Sequence, residues 1–344
     1  KSKISDNRTT AISESNFQYI KDNLNLLKAN FFWPCKKINL FFEDKGKIIN
    51  FLNFDEKNKN FMYIFQNKDL KKKLNKRINL KKNIKLIKKN VKDINSEGSF
   101  IVLHKKKIFY DLIILTTGGF SKFYSKIKVN RAIEKNYKEV AATAVIKHNA
   151  NIENASQFFL KEGPLAILPF KKFSFSTVWS VNNSYFKINE KKLKEILTEK
   201  LRKLLNTKNI KKIKNIETFP INLNLKTEYY KKNVLILGDG LHMIHPIAGQ
   251  GFNLVLRDIK KLAELIVKTS KLGLLLKDSH LLKDFYNSRK PENNLFGLGI
   301  NFTNFFLKDN KYFFGFKRII LNNIKSFNFI KKASQSMADK GILL

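Results

Sequence analysis

Hydrophobic and polar positions recur along this chain with two different periods, and the change from one to the other marks its organisation. Ser13 to Ala29 and Asp69 to Arg77 carry the spacing of amphipathic helices. Ile84 to Ile94 and Ile108 to Leu115 contain strands, and Lys37 to Phe54 predicts a hairpin. From Lys122 to Asn222 the pattern shifts to strand-like runs at Val140 to His148, Phe158 to Leu160, Ala166 to Phe170 and Phe173 to Val181, with one lysine-rich helix from Glu190 to Asn206. The apolar run Val234 to Leu237 then stops at Gly238, as a buried strand stops at a turn. Pro246, Gly249 and Gly251 lead into a helix whose apolar positions Val255, Ile259, Leu262 and Ile266, spaced by four, three and four, predict one inward face. Elements in this order predict an α/β fold with a mostly β excursion between its halves. No sustained repeat appears, and no Gly/Ser/Pro linker marks a clean boundary.

Composition changes this picture in three ways. With 344 residues and 43% hydrophobic content, the chain can bury a full core and is folded, not disordered. A single cysteine, Cys35, excludes an intramolecular disulfide and reads as a small buried apolar residue in a reducing compartment. The net charge of +39 comes from 67 basic residues of which only seven are arginine. A nucleic-acid binder would show more arginine and a recognisable module, so no nucleic acid is expected as a partner. Lys71 to Lys73, Lys81-Lys82 and Lys105 to Lys107 read as solvated helix faces and hairpin tips. So basic a surface also favours weak, salt-dependent contact with anionic membrane. The N-terminus lacks a signal-peptide core, and Leu295 to Leu307 is too short and too interrupted by Asn301, Thr303 and Asn304 to span a bilayer. The C-terminal phenylalanines, among them Phe302, Phe313, Phe316 and Phe327, read as amphipathic helices that pack on the body or face a membrane or partner.

The segment from Val234 to Leu254 carries the chemistry. A helix that starts after Gly251 points unpaired backbone N–H groups and the positive end of its dipole at whatever lies over Pro246 to Gly251. Glycine at 249 and 251 lets a ligand approach the backbone, and Asp239 at the strand end can accept hydrogen bonds from hydroxyls. His242 and His245 form H-x-x-H, but they lie in a loop without a third ligand of suitable spacing, so no metal is expected. No G-x-S-x-G elbow is present.

Read whole, Gly238-Asp239-Gly240-Leu241-His242 through His245-Pro246-Ile247-Ala248-Gly249-Gln250-Gly251-Phe252-Asn253-Leu254 resembles the second flavin motif of the para-hydroxybenzoate-hydroxylase-type flavoprotein monooxygenases. Within them it is most similar to the ubiquinone-biosynthesis hydroxylases. Asp6-Asn7-Arg8-Thr9-Thr10-Ala11-Ile12-Ser13, Ile64 to Leu70, Gly163 to Pro169 with Ser176 to Ser180, and Phe219-Pro220 resemble further segments of that family in the same order. The resemblance implies a Rossmann-like FAD-binding domain, an inserted mostly β substrate domain and C-terminal helices. It places the first segment of the FAD domain at 1–121, with the strands near 37–54 belonging to the substrate sheet. The substrate domain follows at 122–222, the second segment of the FAD domain at 223–290 and the helical region at 291–344. It further implies that Asp239 binds the ribityl or ribose part of FAD, that Pro246 lies against the isoalloxazine, and that the Gly249-Gln250-Gly251 turn faces its pyrimidine edge. Gly238, Asn253 and Arg8 join the same cofactor set.

The implied reaction is hydroxylation of a polyprenylated phenol with O2, through a flavin hydroperoxide, with NADPH or NADH as reductant. The flavin intermediate is itself the electrophile, so no catalytic acid or base is required. A cytoplasmic protein peripheral on the inner face of the membrane, meeting other quinone-biosynthesis proteins, is the corresponding setting. Two departures accompany the resemblance. Gly118 stands where the A-D-G-x-x-S motif has its acidic residue, which leaves the choice of reductant open. No glycine occurs before Gly46, so the G-x-G-x-x-G unit is missing, and the expectation is an incomplete chain that opens downstream of it and is inactive by itself. Another flavin-dependent hydroxylase or oxidoreductase of the same superfamily, or a non-catalytic basic protein that binds membrane or nucleic acid, are the alternatives.

Overall fold

The computed structural model describes residues 8–24, 30–55, 59–182, 190–211, 213, 215–278, 280–307 and 328–341. Seven helices among these residues organise the fold: α1 (Glu14–Leu24), α2 (Asn67–Asn79), α3 (Lys122–Lys126), α4 (Glu190–Leu204), α5 (Gln250–Lys271), α6 (Leu281–Leu307) and α7 (Asn328–Lys340). The predicted helix end at 25–29 and the aromatic run from Phe313 to Phe327 lie outside the described residues.

An eight-stranded sheet dominates. In spatial order it runs His242–Met243, Ile216–Lys226, Ala132–Lys147, Ser174–Asn182, Gly163–Lys171, Ala155–Leu160, Lys37–Asp44 and Lys47–Asp55. Neighbours are antiparallel except Ala155–Leu160 beside Lys37–Asp44, which run parallel. The early hairpin therefore extends one edge of the sheet, while the two-residue strand before Pro246 forms the other. Side chains of successive strand residues point to opposite faces. Leu165, Ile167, Phe175, Trp179 and Val181 accordingly pack with Leu193, Leu197 and Leu201 of α4. The intervening Ala166, Leu168 and Val178 face a cavity on the other side.

Three smaller sheets complete the framework. Thr9–Ser13 and Trp33–Cys35 flank Met62–Gln66, and Ile113–Leu115 lies parallel to Val234–Ile236. Val91–Asn95, Phe100–Leu103 and Lys106–Phe109 form a meander. The strand expected within Ile84 to Ile94 begins only at Val91. Ile84, Leu86 and Ile87 are exposed in an irregular stretch, because no neighbouring strand covers them.

The helix that follows the glycine turn presents a different face inward than its apolar spacing predicts. Ile259 is 37% exposed, and the buried stripe instead runs through Leu254, Asp258, Leu262, Leu265 and Thr269. Charged residues take core positions here because α6 supplies their partners. Among the described residues, no helix is long and apolar enough to cross a membrane.

Candidate functional site

A cavity of about 670 Å³ opens between the Ile244-to-Asn253 segment and the face of the large sheet opposite α4. Thr9 to Ser13 form one side, and the hairpin residues Leu40, Phe51, Leu52 and Phe54 form another. Phe302 of α6 with Gln335, Ala338 and Asp339 of α7 close the remaining flank. An apolar chamber with a few convergent polar groups is the usual form of a small-molecule site.

Local sequence explains the loop. Pro246 accepts a hydrogen bond from the Gly249 N–H at 3.3 Å, closing a short 3-10 turn over Ile247–Gly249. Gly249 then enters the left-handed region at φ 62°, where a side chain costs energy, and α5 begins at the next residue. Having no side chain, Gly249 makes no side-chain cap to α5, whose first turn borders the cavity. Gly251 has an ordinary φ, and a Cβ there would meet only Ile244 at 3.8 Å. Protein packing therefore does not demand glycine at 251; its bareness matters toward the cavity, which it lines.

Pro246, Gly249, Gln250, Gly251 and Asn253 all line the cavity, whereas Gly238, Asp239 and Arg8 do not. Asp239 is exposed in a turn at the carboxyl end of Val234–Ile236, beside the corresponding end of the parallel Ile113–Leu115. Gly118, at φ 84°, leaves that neighbouring end, and its carbonyl accepts the Tyr124 hydroxyl. Arg8 is exposed, with its guanidinium 5.1 Å from the centre of the Phe219 ring. Asn253 ties the site together. Its Oδ1 accepts from the Ser13 N–H and from Asn16 Nδ2, both at 2.9 Å, while its Nδ2 donates to the carbonyls of Ala11 and Gly249. Strand, α1 and loop thus meet at one amide.

His242 lies in the edge strand rather than in a loop, and the two carboxylates that hold His242 and His245 gave no signal in the sequence. His242 Nε2 lies 2.7 Å from Asp258 Oδ2 on α5, and His245 Nε2 lies 3.0 Å from Glu139 Oε2 on the large sheet. The two imidazoles face different partners and do not converge. Arg289 Nε donates to Asp258 Oδ1 at 2.6 Å, and Asn293 reaches the same oxygen. Glu292 pairs with Arg289 and Arg257, and Arg257 donates to the α7 carbonyls of Met337 and Ala338. Burial pushes the Asp258 carboxyl up, but His242 and Arg289 outweigh it and hold the group below the usual carboxylate range. Burial pushes His245 down to about 4, keeping its imidazole neutral, and pushes the neighbouring Tyr137 hydroxyl up to about 12. Cys35 is fully buried, its thiol donating to the Lys37 carbonyl.

The FAD binding domain family matches residues 114–291, just over half of the chain. The mitochondrial ubiquinone biosynthesis monooxygenase COQ6 of Dictyostelium discoideum is 24% identical over 76% of this chain and 65% of its own length. The ubiquinone hydroxylase UbiL of Rhodospirillum rubrum is 27% identical over 46% of this chain and 38% of its own. The chain thus spans less than two thirds of the length of these relatives. Among solved structures, pqsL of Pseudomonas aeruginosa, described as a probable FAD-dependent monooxygenase, superposes with a TM-score of 0.74 at 15% identity, covering 90% of this chain and 89% of that one. That likeness establishes a shared fold.

Proposed function

Because the chain belongs to the FAD binding domain family, we propose that it supplies the flavin and substrate seat of a monooxygenase that hydroxylates a polyprenylated phenol in ubiquinone biosynthesis. The observation that carries this reading is the cavity: the N-terminus of α5 and its glycine turn on one wall, an apolar sheet face on the other. A helix N-terminus favours the negative charge that a reduced isoalloxazine carries near N1 and O2. The residues present fit that ring, since Gly249 and Gly251 leave the wall bare where it would lie.

In this reading Pro246 lies against the ring plane, and Gly249, Gln250 and Gly251 face its polar edge. Asp239 and Gly238, at the carboxyl ends of the parallel strands, hold the ribityl or ribose hydroxyls, as ligands do in open α/β sheets. Asn253 acts indirectly, by fixing the loop to the Ala11–Ser13 backbone, and Arg8 flanks the same chain end. Bound FAD, reduced by NADPH or NADH, supplies the oxygen-activating chemistry with O2. The chain supplies the seat: Leu40, Phe51, Leu168 and Val178 exclude water and pack the phenol ring, so no acid or base side chain is assigned. The matched relatives named for ubiquinone synthesis favour a quinone-precursor substrate. A basic surface working at the inner face of a membrane suits so apolar a substrate.

The test combines an FAD fluorescence titration with mass analysis of a prenylated phenol incubated with the protein, NADPH and O2. In protein that carries a G-x-G-x-x-G unit, the expected result is saturable FAD binding and a product heavier by one oxygen. Asp239→Ala should weaken FAD about tenfold or more, the loss of a charge-assisted hydrogen bond worth about 1.5–3 kcal/mol. Absence of FAD binding, or binding without oxygen insertion into any prenylated phenol, overturns the assignment.

A further inference from the structure

Glu139 occupies an irregular point of the longest strand. The pairing of Ala132–Lys147 with Ile216–Lys226 shifts register between Asn136 and Glu139. Within that bulge Lys138 takes a φ of 53°, and its N–H donates to the Asn136 side chain at 2.8 Å. A bulge re-aims the side chains beside it. Here it delivers a carboxylate that is 5% exposed to the fully buried imidazole of His245. Tyr137, from the same bulge, meets that imidazole edge-on at 5.2 Å and donates its hydroxyl to Asn301 of α6 at 3.0 Å. Burying a carboxylate is costly, and a merely structural strand position would be served by an apolar residue.

His245 directly precedes Pro246, which lines the cavity. The residue before a proline has a narrow conformational range, so fixing the His245 side chain restricts the Pro246 ring as well. The segment is already pinned three residues earlier, where His242 and Met243 pair with Leu225 and Asn224. Two anchors so close together leave the intervening peptide one path.

We propose that Glu139 is a positioning residue of the flavin site, which accepts the Nε2–H of His245 and thereby sets both the tautomer of that imidazole and the seat of Pro246 against the ring. The inference rests on the functional reading above. It links the substrate-side sheet to the cofactor loop through one carboxylate 106 positions away in sequence.

Nitrogen-15 labelling of the five histidines reads the tautomer on the unmodified protein. His245 is expected with its proton on Nε2, and a proton on Nδ1 overturns the proposal without any variant being made. FAD titration then compares Glu139→Gln with the unmodified protein. The amide can donate as well as accept, so the Nε2–H tautomer should lose its dominance, FAD affinity should fall about tenfold and the visible flavin band should shift. If Glu139→Gln fails to fold, a second pair replaces it. His245→Gln, whose amide reaches as far as Nε2, should keep most of the FAD affinity that His245→Leu loses, and equal affinities for the two overturn the idea. Wild-type protein that takes up no FAD overturns the functional reading and this inference with it. Wild-type protein that binds FAD while Glu139→Gln binds it equally well, with an unchanged spectrum, overturns the inference alone.

Discussion

His242 and His245, three residues apart, are both buried against carboxylates, yet they live in different electrostatic regimes. Asp258 beneath His242 is fully buried and saturated by donors: Arg289, Asn293 and the imidazole itself. Its desolvation is offset by charge–charge attraction, which is why the carboxyl stays acidic. His245 is instead a neutral ring beside Tyr137 and the Glu139 carboxylate, its basicity suppressed by burial. The first pair is a brace between α5 and α6; the second is a hinge pin between sheet and loop. Removing a partner from the brace exposes a buried charge, whereas altering the pin changes orientation more than stability.

The largest effect should follow from breaking the brace. Arg289→Met leaves Asp258 and Glu292 without their main cation, and about 3–5 kcal/mol of stability should vanish, as for other buried ion pairs that lose one member. Urea denaturation reads this directly. A loss no greater than that of a surface lysine variant would show that the network carries no net energy.

Acid titration separates the two regimes. His245 has a folded value near 4 against an ordinary value of 6.5, so the unfolded chain binds the extra proton between those limits. Stability is therefore fully present above pH 6.5 and declines as pH falls toward 4, by roughly 3 kcal/mol from this group. Asp258 has a depressed folded value, so its contribution is present above the ordinary carboxylate range and disappears only at more acid pH, as pH falls through the folded value. In His245→Gln the slope between pH 6.5 and 4 should flatten, measured by urea midpoints across the range. An unchanged slope would mean that His245 is not the group responsible.

The smallest stability effect belongs to the turn between the pairs and α5. Gly251→Val should leave the melting temperature within a few degrees, because a Cβ there meets only Ile244 at ordinary contact distance. FAD affinity should nonetheless fall at least tenfold, since the added methyls enter the cavity. Wild-type affinity in this variant would remove the ring from that wall.

Much of this was open to reading from the chain alone. The apolar run Val234 to Leu237, the glycines at 249 and 251 and Pro246 act through neighbouring backbone, and so do the alternating strands from Gly163 to Val181. Local sterics and periodicity suffice for them, and the structure brings five of the eight expected cofactor residues to one cavity. Glu139 and Asp258 were invisible for the opposite reason. A charged residue on a strand or helix reads as solvent-facing until a distant partner offsets its burial, and those partners come from 106 and 31 positions away. The same logic displaced the inward face of α5 from Ile259 to Asp258, since hydrophobic spacing cannot register a core built from ion pairs. The resemblance assigns the strands near 37–54 to the substrate sheet, but their parallel partner, the strand at 155, is a matter of pairing between remote segments. Short-range rules specify each element and the shape of the glycine loop; which polar groups enter the core, and what they hold in place, is decided only when the elements pack.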